Sequence, residues 1–265
     1  MNLRKESEII AAAFSFLAFA AALRISGVSA STLVGMQNIF LKSFVAQSAT
    51  EIMSLLVLPF ISVFIAFIFL VLGFAFLCLH GYKSGDYRTG IYSGIFGAVF
   101  VVLATGTSLP GIFLAAALII SSAYIVPLSY TYSKELKKWV FFRVGSNAIG
   151  KALMIINMLL ALGIFLSVAS NMSFYGASFR NDIKQSMTDI AMASAPASIP
   201  DRAALEAKVA ESVDSMPIIN SYVRWLPILT AVLAWFALEF LRLLLSNIGG
   251  IFTKILFSVS KSAQS

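Results

Sequence analysis

Residues 133–151 read SKELKKWVFFRVGSNAIGK and lie between two long apolar runs. Against a single acid, Glu135, the stretch carries five basic residues: Lys134, Lys137, Lys138, Arg143 and Lys151. Short loops rich in Lys and Arg stay on the cytoplasmic side of a membrane, because carrying them across the bilayer during insertion is disfavoured. We therefore expect this loop to face the cytoplasm and to set the direction of the helices on either side of it.

The composition excludes an ordinary soluble domain. Of the 265 residues, 59% are hydrophobic and 12% are charged, whereas a soluble domain has roughly 45–50% apolar and about 25% charged residues. So few charges cannot cover the surface of a water-soluble globule. The single histidine, His80, excludes a metal site built from several histidines, and the single cysteine, Cys78, excludes an intramolecular disulfide. His80 follows an apolar run, and we expect it at the level of the lipid headgroups.

The apolar runs predict an all-α polytopic transmembrane bundle of about six spans, since about 20 apolar residues cross the hydrocarbon core. The six runs lie near residues 9–28, 52–79, 90–106, 111–130, 148–169 and 225–245. Residues 29–51 have intermediate polarity and indicate either a helix on the membrane surface or a re-entrant segment. In the basic loop, Leu136, Trp139 and Val140 share one side of a helical wheel and predict a short interfacial helix. The tail after Gly250 indicates either a surface helix or an extension of the sixth span.

The distribution of charge supports this topology. With the basic loop inside, both termini are cytoplasmic, and 12 of the 19 Lys and Arg residues fall on the inner side. More of the acidic residues fall on the outer side than on the inner side, so the whole net charge of +7 lies on the inner face. This pattern predicts an integral protein of a prokaryotic plasma (inner) membrane, with an anionic inner leaflet as the partner of the basic charge. It argues against nucleic acid, which would need a compact basic domain.

The long polar segment 171–222 predicts an extracytoplasmic helical hairpin between spans five and six. Each half carries a narrow apolar stripe at helical spacing. The stripe residues are Phe179, Ile183 and Met187 in the first half, and Leu205, Val209 and Val213 in the second. The two stripes either pack on each other, which makes the hairpin a cap, or form a docking surface for another protein. Ser198 and Asp201 resemble a capping box at the start of the second helix.

Span three opens with glycines on one helical face, which lets two helix backbones approach closely. These glycines are Gly90, Gly94 and Gly97, and we expect them to pack within the chain rather than to form a dimer contact. Asn157 in span five is expected to hydrogen-bond to a neighbouring helix. Glu239 and Arg242 lie one turn apart near the inner end of span six and can pair. Either the pair is structural, or Glu239 carries a proton or contacts a substrate.

The sequence contains no recognisable catalytic, metal or nucleotide motif, so we expect neither an enzyme nor a cofactor. The helix-packing glycines, the hairpin and the surface helices favour a non-catalytic membrane subunit. Such a subunit would belong to a larger assembly of the secretion, conjugation or energy-transducing type and would contact other membrane proteins. The alternative is a permease or the membrane subunit of a transporter, since six spans with both termini inside are common among transporters. Against it, the two halves show no evident internal repeat.

Overall fold

The computed structural model describes residues 3–27, 32, 49–136, 139–194 and 202–262. These residues form α-helices without strands, which confirms the all-α prediction. The helices are α1 (Leu3–Ser26), α2 (Ala49–Lys83), α3 (Tyr87–Thr105), α4 (Leu109–Glu135), α5 (Val140–Ser170), α6 (Met172–Ser194), α7 (Arg202–Ser215) and α8 (Pro217–Ser262). Most of the surface or re-entrant segment predicted at 29–51 lies outside the described residues, and its last three residues belong to α2. The capping box at Ser198 and Asp201 lies outside them as well.

Six of the described helices are long and apolar enough to cross a membrane, as predicted. The candidate spans are Ser7–Ser26, Phe60–Lys83, Tyr87–Thr105, Leu109–Glu135, Val140–Ser170 and Pro217–Ser260. The chain is therefore an integral membrane protein built as a bundle of six spans. Which membrane it occupies, and which side its termini face, stay predictions.

The chain divides into two compact units, of which the first contains most of the six spans. It comprises residues 1–28, 59–163 and 233–265. Large side chains of α1 and α2 fill its core: the Phe16 and Phe74 rings meet edge to face at 5.6 Å, and Phe19 and Phe67 do so at 5.8 Å. All four side chains are almost completely buried. Edge-to-face aromatic pairs add directional contact to apolar burial, which fixes the register of α1 on α2.

The glycines of α3 bring its backbone against α4. A Cβ atom at Gly90 would collide with the backbone oxygen of Ser122, and one at Gly94 would lie 2.8 Å from the Cα atom of Ile119. A Cβ atom at Gly97 would lie 2.7 Å from Leu118 and 2.9 Å from Phe16. These three positions therefore have no room for a side chain, and the glycine face of α3 is occupied within the chain.

Helices α5 and α8 run antiparallel and pack through a second set of small residues. A Cβ atom at Gly249 would lie 2.6 Å from Ile149, and one at Gly250 would lie 2.8 Å from Phe142. Gly145 lies against Thr253 in the same contact. This packing explains why α8 continues past the predicted end of span six at 245. Gly249 and Gly250 are packing residues inside the helix rather than its end, so the tail extends the sixth span.

The basic loop is shorter than predicted. Lys134 and Glu135 belong to α4, and α5 begins at Val140. Trp139 has a positive φ of 54°, which interrupts the helix between them. The prediction of a separate interfacial helix is therefore wrong for the described residues. The Lys254 ammonium group lies 5.7 Å from the exposed Trp139 ring, a cation–π contact that anchors this corner to α8.

The second unit comprises residues 29–58 and 164–232 and contains the hairpin of α6 and α7. Its core consists of Phe179, Val213, Ile219 and Val223, all buried. The Phe179 and Tyr222 rings stack at 4.7 Å. Contact among α6, α7 and the start of α8 gives the polar segment a small apolar core of its own.

Candidate functional site

The structure brings together three polar residues that the sequence singled out separately. The Asn157 amide of α5 donates a hydrogen bond of 3.1 Å to Glu239 Oε2 of α8. The other carboxylate oxygen, Oε1, forms an ion pair with the Arg242 guanidinium one turn along α8. Asn157, Glu239 and Arg242 are called the α5–α8 cluster below. It adds hydrogen bonding and ion pairing to a helix contact that is otherwise made by glycines, Thr253 and apolar side chains among the described residues.

The α5–α8 cluster lies within the apolar part of both helices. Sequence analysis placed the Glu239–Arg242 pair near the inner end of span six, but α8 extends to Ser262 and the pair lies in its middle. Lys254, the next charged residue towards the C-terminus, is about 22 Å from Glu239 along the helix. On α5, Asn157 is about 9 Å from the exposed Lys151. The pair therefore lies among apolar residues in the middle of α8, and its depth in the membrane stays a prediction.

The chain covers the α5–α8 cluster only in part. Asn157 is buried, with 1% exposure, but the side chains of Arg242 and Glu239 keep 26% and 23% of their surface exposed. The Arg242 Nη1 atom donates a long hydrogen bond of 3.4 Å to the backbone oxygen of Gly150. Its Nε atom is buried and has no hydrogen-bond partner among the described residues. The ion pair is therefore partly exposed at the surface of the chain, and one buried hydrogen-bond donor of Arg242 is unused among the described residues.

A second charged cluster was missed by sequence analysis. The Lys83 ammonium group at the end of α2 donates to Glu8 Oε1 of α1 at 2.5 Å. His80, one turn earlier on α2, places Nδ1 3.6 Å from Glu8 Oε2. Glu8, His80 and Lys83 are called the α1–α2 cluster below. Glu8 and His80 are 8% and 7% exposed, so both are buried within the chain.

The spacing of His80 and Lys83 places both residues on one face of α2, so the sequence could have indicated two of the three residues of the α1–α2 cluster. The carboxylate that joins them comes from a residue 75 positions away in the sequence, next to other charges of the N-terminal segment. Nothing in the sequence indicated which helix would cover the end of α2. The Nε2 atom of His80 is buried without a hydrogen-bond partner among the described residues.

The hairpin stripes face each other. Phe179 and Val213 are buried in the hairpin core, and Ile183, Met187 and Val209 pack against it partly buried. Leu205 is half-buried and lies outside this core. Ion pairing between Lys184 and Asp214 at 2.8 Å, and a hydrogen bond of 2.9 Å from Arg180 to Asn220, run along the same contact. Of the two interpretations of the stripes, the structure favours internal packing, because their apolar surfaces are used within the hairpin.

The described residues contain no group of three or more His, Cys, Asp or Glu side chains that could hold a metal ion. Cys78 is buried and free, and the Ser129 hydroxyl donates 2.9 Å to its backbone oxygen. No family model, curated protein or solved structure matches this chain.

Proposed function

We propose that the chain is a non-catalytic subunit of a larger membrane assembly and that it contacts its partner through the α5–α8 face. The observation that carries this proposal is the partial exposure of the Glu239–Arg242 ion pair among large apolar side chains of two membrane spans. Lipid tails offer no hydrogen bonds, so exposing charged groups to them is costly unless another polar group covers them. A partner helix with hydrogen-bonding or small residues meets that requirement.

The surroundings of the cluster support a membrane partner rather than an aqueous path. The neighbouring exposed residues of both helices are large and apolar: Met154, Met158, Phe236, Phe240 and Leu243. A water-filled path would need polar side chains at these positions. Both carboxylate oxygens of Glu239 are already occupied, so the site has no free anionic group to bind a transported solute. The assembly types that suit such a subunit are secretion, conjugation and energy transduction.

The experiment combines site-specific photo-cross-linking with co-purification. A photoreactive phenylalanine analogue placed at Phe240 is expected to form a protein adduct in the native membrane. The same analogue at Ile95, an exposed residue of α3, serves as the matched control and is expected to label lipid only. Glu239→Lys should abolish the adduct at position 240 and release the co-purifying partner, because it places two like charges on adjacent turns of α8.

Two results would overturn the proposal. One is a chain that purifies alone in mild detergent and forms no protein adduct at position 240. The other is an adduct that persists unchanged in a folded Glu239→Lys variant, which would show that the ion pair plays no part in the contact.

A permease is the second candidate, and the α1–α2 cluster is the observation that favours it. Buried ionisable residues within membrane spans often mark proton or ion pathways, and Glu8 and His80 are both about nine-tenths buried. If the chain is a proton-coupled carrier, it should move protons when reconstituted alone in vesicles. Glu8→Gln should stop that flux, whereas Glu135→Gln, at an exposed acid, should not. Vesicles that stay proton-tight with the unaltered chain would exclude this candidate.

A further inference from the structure

An apolar groove lies between α1 and α3, on the opposite side of α3 from its main contact with α4. Its volume is about 320 Å³. The lining residues are Ile9, Ile10, Ala13, Phe14 and Leu17 of α1 with Tyr92, Ser93 and Phe96 of α3. Phe14 and Tyr92 are 67% and 68% exposed, so the groove opens at the surface. Because both helices are membrane spans, that surface faces lipid.

One polar group in the groove has no partner. Ser93 is 2% exposed, and its hydroxyl has no hydrogen-bond partner among the described residues. Serine hydroxyls in membrane helices usually donate to the backbone oxygen one turn earlier, as Ser15 of α1 does at 2.9 Å. An unpaired buried hydroxyl costs free energy, and a ligand carbonyl in the groove would remove that cost.

The groove ends at a cation. Arg88 is exposed and lies one turn before Tyr92, on the same face of α3. Along the helix it is about 7.5 Å from Ser93, towards the membrane surface. Asp86 lies at the same end, and its carboxylate accepts the Arg88 backbone N–H at 3.0 Å. The guanidinium of Arg88, rather than the first N–H groups of α3, is therefore the group available to an anion.

We propose that this groove is a binding site for an anionic phospholipid. One acyl chain lies between Phe14 and Phe96, an ester carbonyl accepts the Ser93 hydroxyl, and the phosphate pairs with Arg88. The cation, the hydroxyl and the apolar side chains follow one another along the groove. The phosphate, the ester carbonyls and the acyl chains follow one another in the same order in a phospholipid. This site is independent of the proposed assembly role, because it uses other helices and other residues than the α5–α8 cluster.

The test uses the full chain in lipid nanodiscs of phosphatidylcholine that contain a minor fraction of phosphatidylglycerol with a photoreactive acyl chain. After illumination, labelled peptides are identified by mass spectrometry. We expect labelling to concentrate on the groove residues of α1 and α3. Arg88→Gln should reduce groove labelling by about fivefold, the effect of removing one cation near an anionic lipid. Photoreactive phosphatidylcholine should label the groove less than phosphatidylglycerol, and added inorganic phosphate should not compete.

Ala13→Phe tests the apolar part of the site by filling the groove, and it should abolish labelling there. The matched control is Ala116→Phe, at an exposed alanine of α4, which should leave groove labelling unchanged. Labelling spread evenly over all lipid-facing helices would overturn the proposal. Groove labelling that survives in a folded Ala13→Phe protein would overturn it as well. Competition by inorganic phosphate would show that Arg88 binds a free anion rather than a lipid phosphate.

Discussion

The two charged clusters have the same plan and different surroundings. In each, one carboxylate joins two helices that are distant in the sequence: Glu8 connects α1 to His80 and Lys83 of α2, and Glu239 connects α8 to Asn157 of α5. The Glu8 side chain retains 10% of its exposed surface, whereas that of Glu239 retains 23%. The chain therefore encloses the first carboxylate and leaves the second partly uncovered.

This difference separates two uses of charge in a membrane protein. A carboxylate enclosed by its own chain contributes to the stability of the isolated subunit, because removing it leaves buried partner groups such as His80 without a hydrogen-bonding or ionic partner. The contribution of a partly exposed ion pair to stability depends on the lipid or protein that lies against it. The comparison therefore predicts that substitutions in the α1–α2 cluster destabilise the chain even when it is isolated. The effect of substitutions in the α5–α8 cluster should depend on whether the partner is bound.

The largest effect is expected from Glu8→Ala, which removes the carboxylate of the enclosed cluster. The buried His80 and the Lys83 ammonium group would then lose their shared carboxylate, and the free energy of unfolding should fall by about 3 kcal/mol. Reversible unfolding in mixed detergent micelles measures this change. Glu135→Ala, at an exposed acid at the end of α4, is the control and should have little effect. Equal stability of Glu8→Ala and the unaltered chain would show that the enclosed cluster does not hold α1 to α2.

An intermediate effect on stability is expected at the partly exposed Glu239–Arg242 pair, and a double-mutant cycle measures it. Arg242→Met leaves the partly exposed Glu239 carboxylate with Asn157 as its remaining partner, and should cost about 2 kcal/mol of unfolding free energy. Adding Glu239→Leu should restore most of that loss, since an apolar pair of similar size needs no solvation. The same unfolding assay applies. If the double variant is less stable than Arg242→Met alone, Glu239 has a stabilising contact besides Arg242 that outweighs its desolvation.

The smallest effect is expected at the Lys184–Asp214 pair of the hairpin, where the Asp214 side chain is 54% exposed. Solvent and salt screen an exposed pair, so Lys184→Gln should change stability by about 0–1 kcal/mol. Limited proteolysis of the hairpin is the measurement. Val213→Asp, which places a charge in the buried hairpin core, is the positive control and should make the hairpin sensitive to protease. Rapid cleavage of Lys184→Gln would show that the hairpin depends on ion pairing more than on its apolar core.

The sequence by itself determined the fold class, because apolar runs of about 20 residues with few charges have no stable alternative to transmembrane helices. It also identified the glycine face of α3 and the hairpin stripes, since helical periodicity places those residues on one side regardless of what they contact. Asn157, Glu239 and Arg242 stood out for a similar reason, because polar residues within apolar runs are few.

Only the tertiary structure decided which of these residues meet. Gly249 and Gly250 lie beyond the predicted end of span six, and they are packing positions because Ile149 and Phe142 of α5 lie against them. Glu8 looked like one charge of a polar N-terminal segment until α1 was placed beside the end of α2. The physical reason is that periodicity describes one helix at a time. The choice of neighbouring helix depends on the shape and contact of whole surfaces, to which residues far apart in the chain contribute together.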